Sequence, residues 1–432
     1  MTYGTLSEQA FKQFASMYSG VKLYFFQKEE SYSSLVSLSN TLLRFAFFNL
    51  LMVSLLGLLM RSFPFIFHFP LEYKNILHGH SHFAFGGWIM PMLLALFLRS
   101  YPEIAERISY NHWRNISLLM LASAYGMLLS FPVQGYKAPS IFFSSSSIAS
   151  GYYLAIVIWK ATKGIEVKAT YGFIKWGLVY YALSAIGPFA TGPLMVLGKQ
   201  GTPLYFNVVY FFLHFQYNGF FTFFVLALFY RMLEGKGTTQ HGGKVLTFFN
   251  LACIPTYALS VLWSQPSLLF NLIGGAGSLL QVGGLIYLVK DIRLIPWDKN
   301  WINRLLLFSL ISFAIKIILQ LFSAWPSIAL MAYHHRNFVI AYLHLVLLGF
   351  ISGFFFAQVF ASVKDTKTVR QGLYFFALSF LSTELLLLAN AFSFTIPYYA
   401  QWLLIFSLFF AIGVLRMITG IKKNLQNNIQ FH

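Results

Sequence analysis

Long apolar runs recur throughout this sequence, and they constrain its fold more than any other feature. Many of them exceed about 18 residues, the length at which an apolar helix can cross the hydrocarbon core of a bilayer. Of the 432 residues, 58% are hydrophobic and only 10% are charged, whereas a soluble domain carries roughly 25% charged residues. The chain is therefore expected to be a polytopic protein embedded in a lipid bilayer.

The apolar runs predict an all-α integral membrane protein with about twelve transmembrane helices. One transmembrane domain is expected over residues 36–421, between a cytoplasmic N-terminal segment (1–35) and a cytoplasmic tail (422–432). The predicted spans are approximately 38–63, 76–99, 113–134, 139–162, 173–197, 203–233, 243–264, 267–290, 303–324, 336–362, 370–393 and 397–420.

The basic residues predict how these spans are oriented. Most of the 30 Lys and Arg residues fall at the two ends of the chain and in every second connection between spans. Because Lys and Arg concentrate in loops on the cytoplasmic side, we expect both termini to be cytoplasmic, in a cell inner membrane. The net charge of +18 has the same explanation, so no nucleic-acid partner is expected.

Histidines are concentrated in the second, sixth and tenth spans, which all run inward from the outer face. The segment "LHGHSHFAFGG" places His78, His80 and His82 in the first two turns of the second span. His214 lies about three turns into the sixth span and His344 about two turns into the tenth, so all five lie roughly 5–15 Å deep. Imidazole is costly to leave unpaired in hydrocarbon, so each ring needs a partner.

A low-spin heme would use these rings, because it takes two neutral imidazoles from facing helices in a large apolar slot. No Asp or Glu accompanies the cluster in the second span, which disfavours a site for a hard cation. His78 and His82 are four residues apart and share a helix face, whereas His80 points elsewhere. We expect one of the three, with His78 preferred, to bind heme iron opposite His344.

The carboxylates of a heme also need cations or hydrogen-bond donors near the outer surface. His334, His335 and Arg336 lie together at the mouth of the tenth span. The outer side holds few basic residues, and Arg336 is the best placed of them along the chain. These three residues are therefore predicted to contribute to binding the cofactor.

These motifs resemble subunit I of the heme–copper oxidase superfamily, which includes the cbb-type oxidases and the nitric oxide reductases. That family has twelve spans, cytoplasmic termini and low-spin heme ligands on the second and tenth helices. "HRNFVIAYLHLVLLGF" matches the helix with the family's His-x-His pair, in which His344 corresponds to the low-spin ligand. "HFQYNGFF" matches the helix with an active-site metal ligand, in which His214 corresponds to that ligand. The resemblance implies heme b and a place in respiratory electron transport.

The sequence departs from this family at the second metal centre. Tyr342 stands where the first His of the pair would bind a second heme, and the seventh span contains no His. Tyrosine can bind heme iron, but one imidazole does not hold copper or non-heme iron against competing ligands. His214, Tyr217 and Tyr342 thus remain as candidate catalytic residues around an incomplete set of metal ligands.

Two charged residues lie inside predicted spans. Lys316 in the ninth span and Glu384 in the eleventh lie at matching depths. An ion pair between them would lower the cost of burying both charges. Such a pair has either a purely structural role or a role in a proton path.

The leading interpretation is a membrane protein with a bis-histidine heme b that transfers electrons or reacts with a diatomic gas or a quinol. Its expected partner is a quinol or a cytochrome c-type subunit, and any enzymatic activity would be that of an oxidoreductase. One alternative is an active nitric oxide or oxygen reductase with an atypical second centre. Another is a heme-free metal or proton transporter. A di-iron oxygenase is disfavoured because the histidine boxes of such enzymes face the cytoplasm.

Overall fold

The computed structural model describes residues 32–66, 69–166, 168–237, 239–298, 300–363 and 366–425. These segments are helical and contain no β-strand. Most of the predicted N-terminal segment and tail lies outside the described residues. The principal helices are α1 (Tyr32–Ser62), α2 (Tyr73–Ser100), α3 (Tyr110–Gln134), α4 (Ala138–Ala161), α5 (Ala169–Val196), α6 (Pro203–Gly235), α7 (Gly242–Cys253), α8 (Leu268–Ile292), α9 (Trp301–Phe322), α10 (Arg336–Phe360), α11 (Lys367–Ala391) and α12 (Tyr399–Leu425).

Eleven helices of the described part are long and apolar enough to cross a membrane, which confirms the predicted all-α membrane fold. The exception is α7, which ends at Cys253 and is followed by two short helical turns, Tyr257–Ser260 and Leu262–Ser264. Pro255 lies in the interruption, and proline removes a backbone donor and clashes with the preceding helical turn. The predicted seventh span (243–264) is therefore a broken helix.

The helices pack largely in sequence order. Contacts join α1 to α2, α2 to α3, α3 to α4, α5 to α6, α7 to α8, α9 to α10 and α11 to α12, and α12 returns to pack on α1. The interior is formed mainly by α2 and α6, in which residues 86–98 and 214–230 are buried without exception. Both helices begin at the same end of the bundle as α10, here called the histidine end.

An aromatic cluster fills the centre of the bundle between α1, α2 and α10. The Phe47 ring stacks on Phe356 with centroids 5.9 Å apart, and Trp88 packs edge-on against Phe47 at 5.8 Å. The buried indole N–H of Trp88 donates a hydrogen bond to the Ser352 hydroxyl at 2.9 Å. Because lipid tails are as apolar as these rings, close packing and such hydrogen bonds hold membrane helices together.

Three helices of the described part contain a π-helical segment. These segments span Ala84–Ile89 in α2, Phe215–Phe221 in α6 and Leu345–Ser352 in α10. Each one begins one or two residues after a histidine singled out in the sequence. Single π turns inside α-helices are frequent at functional sites, so their positions mark the histidine layer as the region where function should be sought.

Side chains from neighbouring helices bind backbone carbonyl groups of two of these π segments, those in α2 and α10. Asn49 of α1 donates its amide N–H to the carbonyl oxygen of Gly87 at 2.7 Å. Ser309 of α9 donates its hydroxyl to the carbonyl oxygen of Phe350 at 2.6 Å. In a bilayer no water is available for such groups, so irregular backbone requires partners of this kind.

At the end of the bundle opposite the histidine end, the buried carboxylate of Asp291 joins α8 to the connection before α7. Asp291 accepts hydrogen bonds from the Tyr230 hydroxyl at 3.0 Å and from the backbone N–H groups of Gln240 and His241 at 3.1 Å. The ring Nδ1 of His241 also lies 3.0 Å from a carboxylate oxygen of Asp291. These contacts compensate the cost of burying the carboxylate.

The α11–α12 crossing depends on two glycines in contact. A Cβ atom at Gly413 would lie 2.8 Å from the carbonyl oxygen of Gly372, whereas one at Gly243 in α7 would meet open space. We predict that Gly413→Ala forces α11 and α12 apart and lowers the free energy of unfolding by about 1–3 kcal/mol. Thermal unfolding in detergent measures the change, with Gly243→Ala as the control. Equal stability of the two variants would contradict the close crossing.

Candidate functional site

The three histidines of α2 point in two directions. His80 faces α1, where its Nδ1 lies 3.1 Å from the carbonyl oxygen of Val53. The ring packs against Gly57, where a Cβ would lie at an ordinary contact distance of 3.5 Å from Cε1 of His80. A carbonyl oxygen can only accept, so Nδ1 carries the proton and donates it. The Nε2 atom of His80 is then the unprotonated nitrogen.

His78 and His82 share one helix face, as predicted, but that face packs against α3 and the connection that follows it. The His82 ring stacks on Phe131 with centroids 4.4 Å apart, and its Nε2 lies 2.8 Å from the Tyr136 hydroxyl. The His78 ring meets the same tyrosine edge-on at 4.8 Å. Burial raises the pKa of Tyr136 above its ordinary value, so this phenol remains neutral. His78, predicted to be the partner of His344, thus faces α3 instead.

His344 of α10 lies within range of His80 for an electrostatic interaction between the two rings. Nδ1 of His344 lies 3.1 Å from Oε1 of Glu384 on α11. The Glu384 side chain is 12% exposed and that of His344 is 30% exposed. In the neutral tautomer that donates its Nδ1 proton to an ionised Glu384, Nε2 is the unprotonated nitrogen. With both rings in this tautomer, His80 and His344 would each offer Nε2 as a ligand.

A cavity of about 450 Å³ lies at the histidine end, between the ends of α1, α2 and α12. Its lining includes Arg61 and the rings of Phe63, Tyr73 and Tyr399. Arg61 also interacts electrostatically with His80 and with Glu384. The cavity thus combines an apolar wall with Arg61, the residue that links it to His80 and Glu384.

The polar group before α10 has other neighbours. Arg336 interacts electrostatically with Tyr210 of α6. The His334 ring packs beside Tyr333, and that of His335 packs against Phe338. Arg336 was the cation expected near His344, but the arginine that the structure brings to the pair is Arg61. The sequence did indicate Arg61 as a candidate, because it is one of the few basic residues predicted on the outer side.

His214 of α6 is fully buried, and protein groups engage both of its ring nitrogens. Nε2 lies 2.8 Å from the carbonyl oxygen of Cys253 and therefore donates to it. Nδ1 accepts from the Asn218 amide at 3.1 Å and lies 3.2 Å from the Ser260 hydroxyl. Neither nitrogen offers a free lone pair to a metal. The described residues also contain no group of three or more His, Cys, Asp or Glu that could hold a metal ion.

The break in α7 explains why His214 is held in this way. The interruption around Pro255 leaves the last carbonyl groups of α7 without their usual helical partners. His214 donates to the carbonyl oxygen of Cys253, and the Tyr180 hydroxyl of α5 donates to that of Asn250 at 3.0 Å. Side chains of neighbouring helices thus satisfy the interrupted backbone, as a membrane interior requires.

The two candidate catalytic tyrosines lie together between α6, α9 and α10. The rings of Tyr217 and Tyr342 meet edge-on with centroids 6.3 Å apart. The Tyr342 hydroxyl donates a long hydrogen bond of 3.4 Å to Oε1 of Gln320 on α9. Both phenols are part of the packed interior around α6.

The predicted ion pair between Lys316 and Glu384 is not formed, because Glu384 pairs with the α10 histidine. Lys316 is buried on α9, with Nζ 5.8 Å from the centre of the Phe313 ring. It interacts electrostatically with Cys253, the last residue of α7. The carbonyl end of a helix carries partial negative charge, which favours the lysine ammonium at this position.

No protein-family model and no curated protein matches this chain. Among the solved structures, 27 chains match it. One of these is a heme–copper terminal oxidase whose dimer was determined by cryo-electron microscopy, with a TM-score of 0.63 and 13% sequence identity. The match covers 93% of this chain and 84% of that chain. The chain is therefore an integral membrane protein with the heme–copper oxidase fold.

Proposed function

We propose that this chain is an electron-transfer protein that binds one low-spin heme b through His80 and His344. The observation that carries the proposal is the state of these two adjacent imidazoles. Nδ1 of each ring lies 3.1 Å from a protein oxygen, and the neutral tautomer that donates this Nδ1 proton would present Nε2 to the iron. Low-spin hemes are bound by two such nitrogens, and a fixed hydrogen bond at Nδ1 is the usual way in which a protein orients a metal-binding histidine.

The surroundings of the pair also fit a heme. The cavity at the histidine end offers aromatic walls, and Arg61 offers a guanidinium suited to a propionate carboxylate. When bound, a low-spin heme supplies a one-electron couple. The chain would hold its iron with His80 and His344, orient these rings through Val53 and Glu384, and exclude water with the aromatic core.

The region around His214 does not fit the copper and second heme of a complete heme–copper centre. Both nitrogens of His214 already serve the interrupted backbone of α7 and its neighbours. Tyr342, the candidate ligand of a second heme, donates its hydroxyl in a hydrogen bond to Gln320. We therefore propose one heme per chain and electron transfer without oxygen or nitric oxide reduction at a second centre.

The proposed location is the inner membrane of a cell, with both termini cytoplasmic and the histidine end outward. Positive charge in alternate connections supports this orientation. The proposed electron donor, a quinol or a cytochrome c-type subunit, would then act at the outer face. Both kinds of donor supply electrons that a one-electron heme can accept.

The first test is the heme content of histidine variants. We expect His80→Ala and His344→Ala each to abolish the low-spin absorption bands of the purified protein, because each removes one iron ligand. His78→Ala and His82→Ala are matched controls from the same helix and should retain the bands. The proposal fails if the wild-type protein contains no heme, or if His78→Ala loses the bands while His80→Ala keeps them. Zinc or copper bound in place of heme would support the transporter alternative.

A second test concerns His214. We predict that His214→Ala lowers the free energy of unfolding by about 1–3 kcal/mol, because it removes the buried ring that contacts the Cys253 carbonyl, the Asn218 amide and the Ser260 hydroxyl. Thermal unfolding measures the loss, and the exposed His112→Ala serves as control. The low-spin bands should persist in both variants. Stoichiometric copper or a second heme that disappears in His214→Ala would contradict this role and support a reductase with an atypical second centre.

A further inference from the structure

The two proposed heme ligands differ in what accepts their Nδ1 protons. His80 donates to Val53, a neutral backbone carbonyl at 3.1 Å. His344 donates to Glu384, a carboxylate at the same distance. The two hydrogen bonds have the same length, but one acceptor is neutral and the other is a carboxylate, so the two ligands are not equivalent.

The structure commits the Glu384 carboxylate to this one histidine. Its side chain is largely buried between α10 and α11, and its only hydrogen bond to a described side chain is the one from His344. Arg61 acts on it electrostatically without forming an ion pair within contact distance. Lys316, the expected partner, lies elsewhere beside Phe313.

The charge of the acceptor changes the ligand strength of the ring. A hydrogen bond to a carboxylate is roughly twice as strong as one between neutral groups, and it increases the basicity of a metal-binding histidine. A more basic imidazole stabilises ferric iron more than ferrous iron, because the ferric ion carries one more positive charge. A buried negative charge nearby has the same effect, and the low dielectric of the interior strengthens it.

We propose that Glu384 is a positioning residue that holds His344 for iron binding and lowers the reduction potential of the heme. This inference rests on the proposed function, since it requires a heme bound by His344. Val53 performs the orienting task for His80 without charge. The chain thus uses one neutral and one anionic acceptor to orient two ligands, and only the anionic one sets the potential.

A redox titration of the purified heme-loaded protein, followed by its visible absorbance, tests the proposal. Glu384→Gln keeps the size of the side chain and an oxygen acceptor but removes the charge. We expect it to shift the equilibrium toward the reduced heme about tenfold, which corresponds to a midpoint roughly 59 mV higher for one electron. The electron paramagnetic resonance signal of the ferric protein should change as well, because the ligand field of His344 weakens.

Two further variants make the test specific. Glu384→Asp keeps the charge but shortens the reach, so its midpoint should lie between those of the wild type and Glu384→Gln. Asp291→Asn makes the same kind of change in a buried carboxylate that also contacts a histidine, His241 at 3.0 Å. Because Asp291 lies at the opposite end of the bundle, the midpoint of this control should be unchanged.

The outcomes separate this inference from the proposed function. A wild-type protein without heme would refute the proposed function itself. In a second outcome, the wild-type protein binds heme while Glu384→Gln and Glu384→Asp both keep the wild-type midpoint. That result would refute the role of Glu384 and leave the proposed function intact. If Glu384→Gln loses its heme, the Glu384→Asp midpoint decides, and an unchanged value would overturn the proposal.

Discussion

Every backbone polar group within the bilayer core must find its hydrogen-bond partner inside the protein, and the architecture of this chain depends on that constraint. The helices that depart from regular geometry show it most clearly. The π segment of α2 is supported by Asn49, that of α10 by Ser309, and the broken end of α7 by His214 and Tyr180. At each of these three places another helix supplies a donor to the irregular backbone.

The same constraint divides the intramembrane histidines among three roles. His78 and His82 pack against the aromatic rings that follow α3. His214 completes the interrupted backbone of α7. His80 and His344 place Nδ1 against Val53 and Glu384 and interact electrostatically with each other. These contacts support the proposed placement of the heme on this pair.

The likeness to a heme–copper terminal oxidase extends over most of both chains at 13% identity. A fold supports many functions, and function resides in particular sites built on it. In this chain the bundle remains while the region around His214 is filled by protein–protein hydrogen bonds and by Lys316 at the end of α7. The proposed heme ligands on α2 and α10 do not depend on that region, because different helices and different acceptors hold them.

Apolar run length was enough to establish the membrane class and nearly every span, because the thickness of the bilayer sets the length of a spanning helix. Helical spacing also showed that His78 and His82 share a face and that His80 does not. It could not show which neighbour each face meets, since that depends on how the helices pack. Only the tertiary structure therefore put His80 beside His344, paired Glu384 with His344 instead of Lys316, and brought Arg61 to the site. Pro255 was visible in the sequence, but whether it would bend α7 or break it depended on the donors that α5 and α6 supplied.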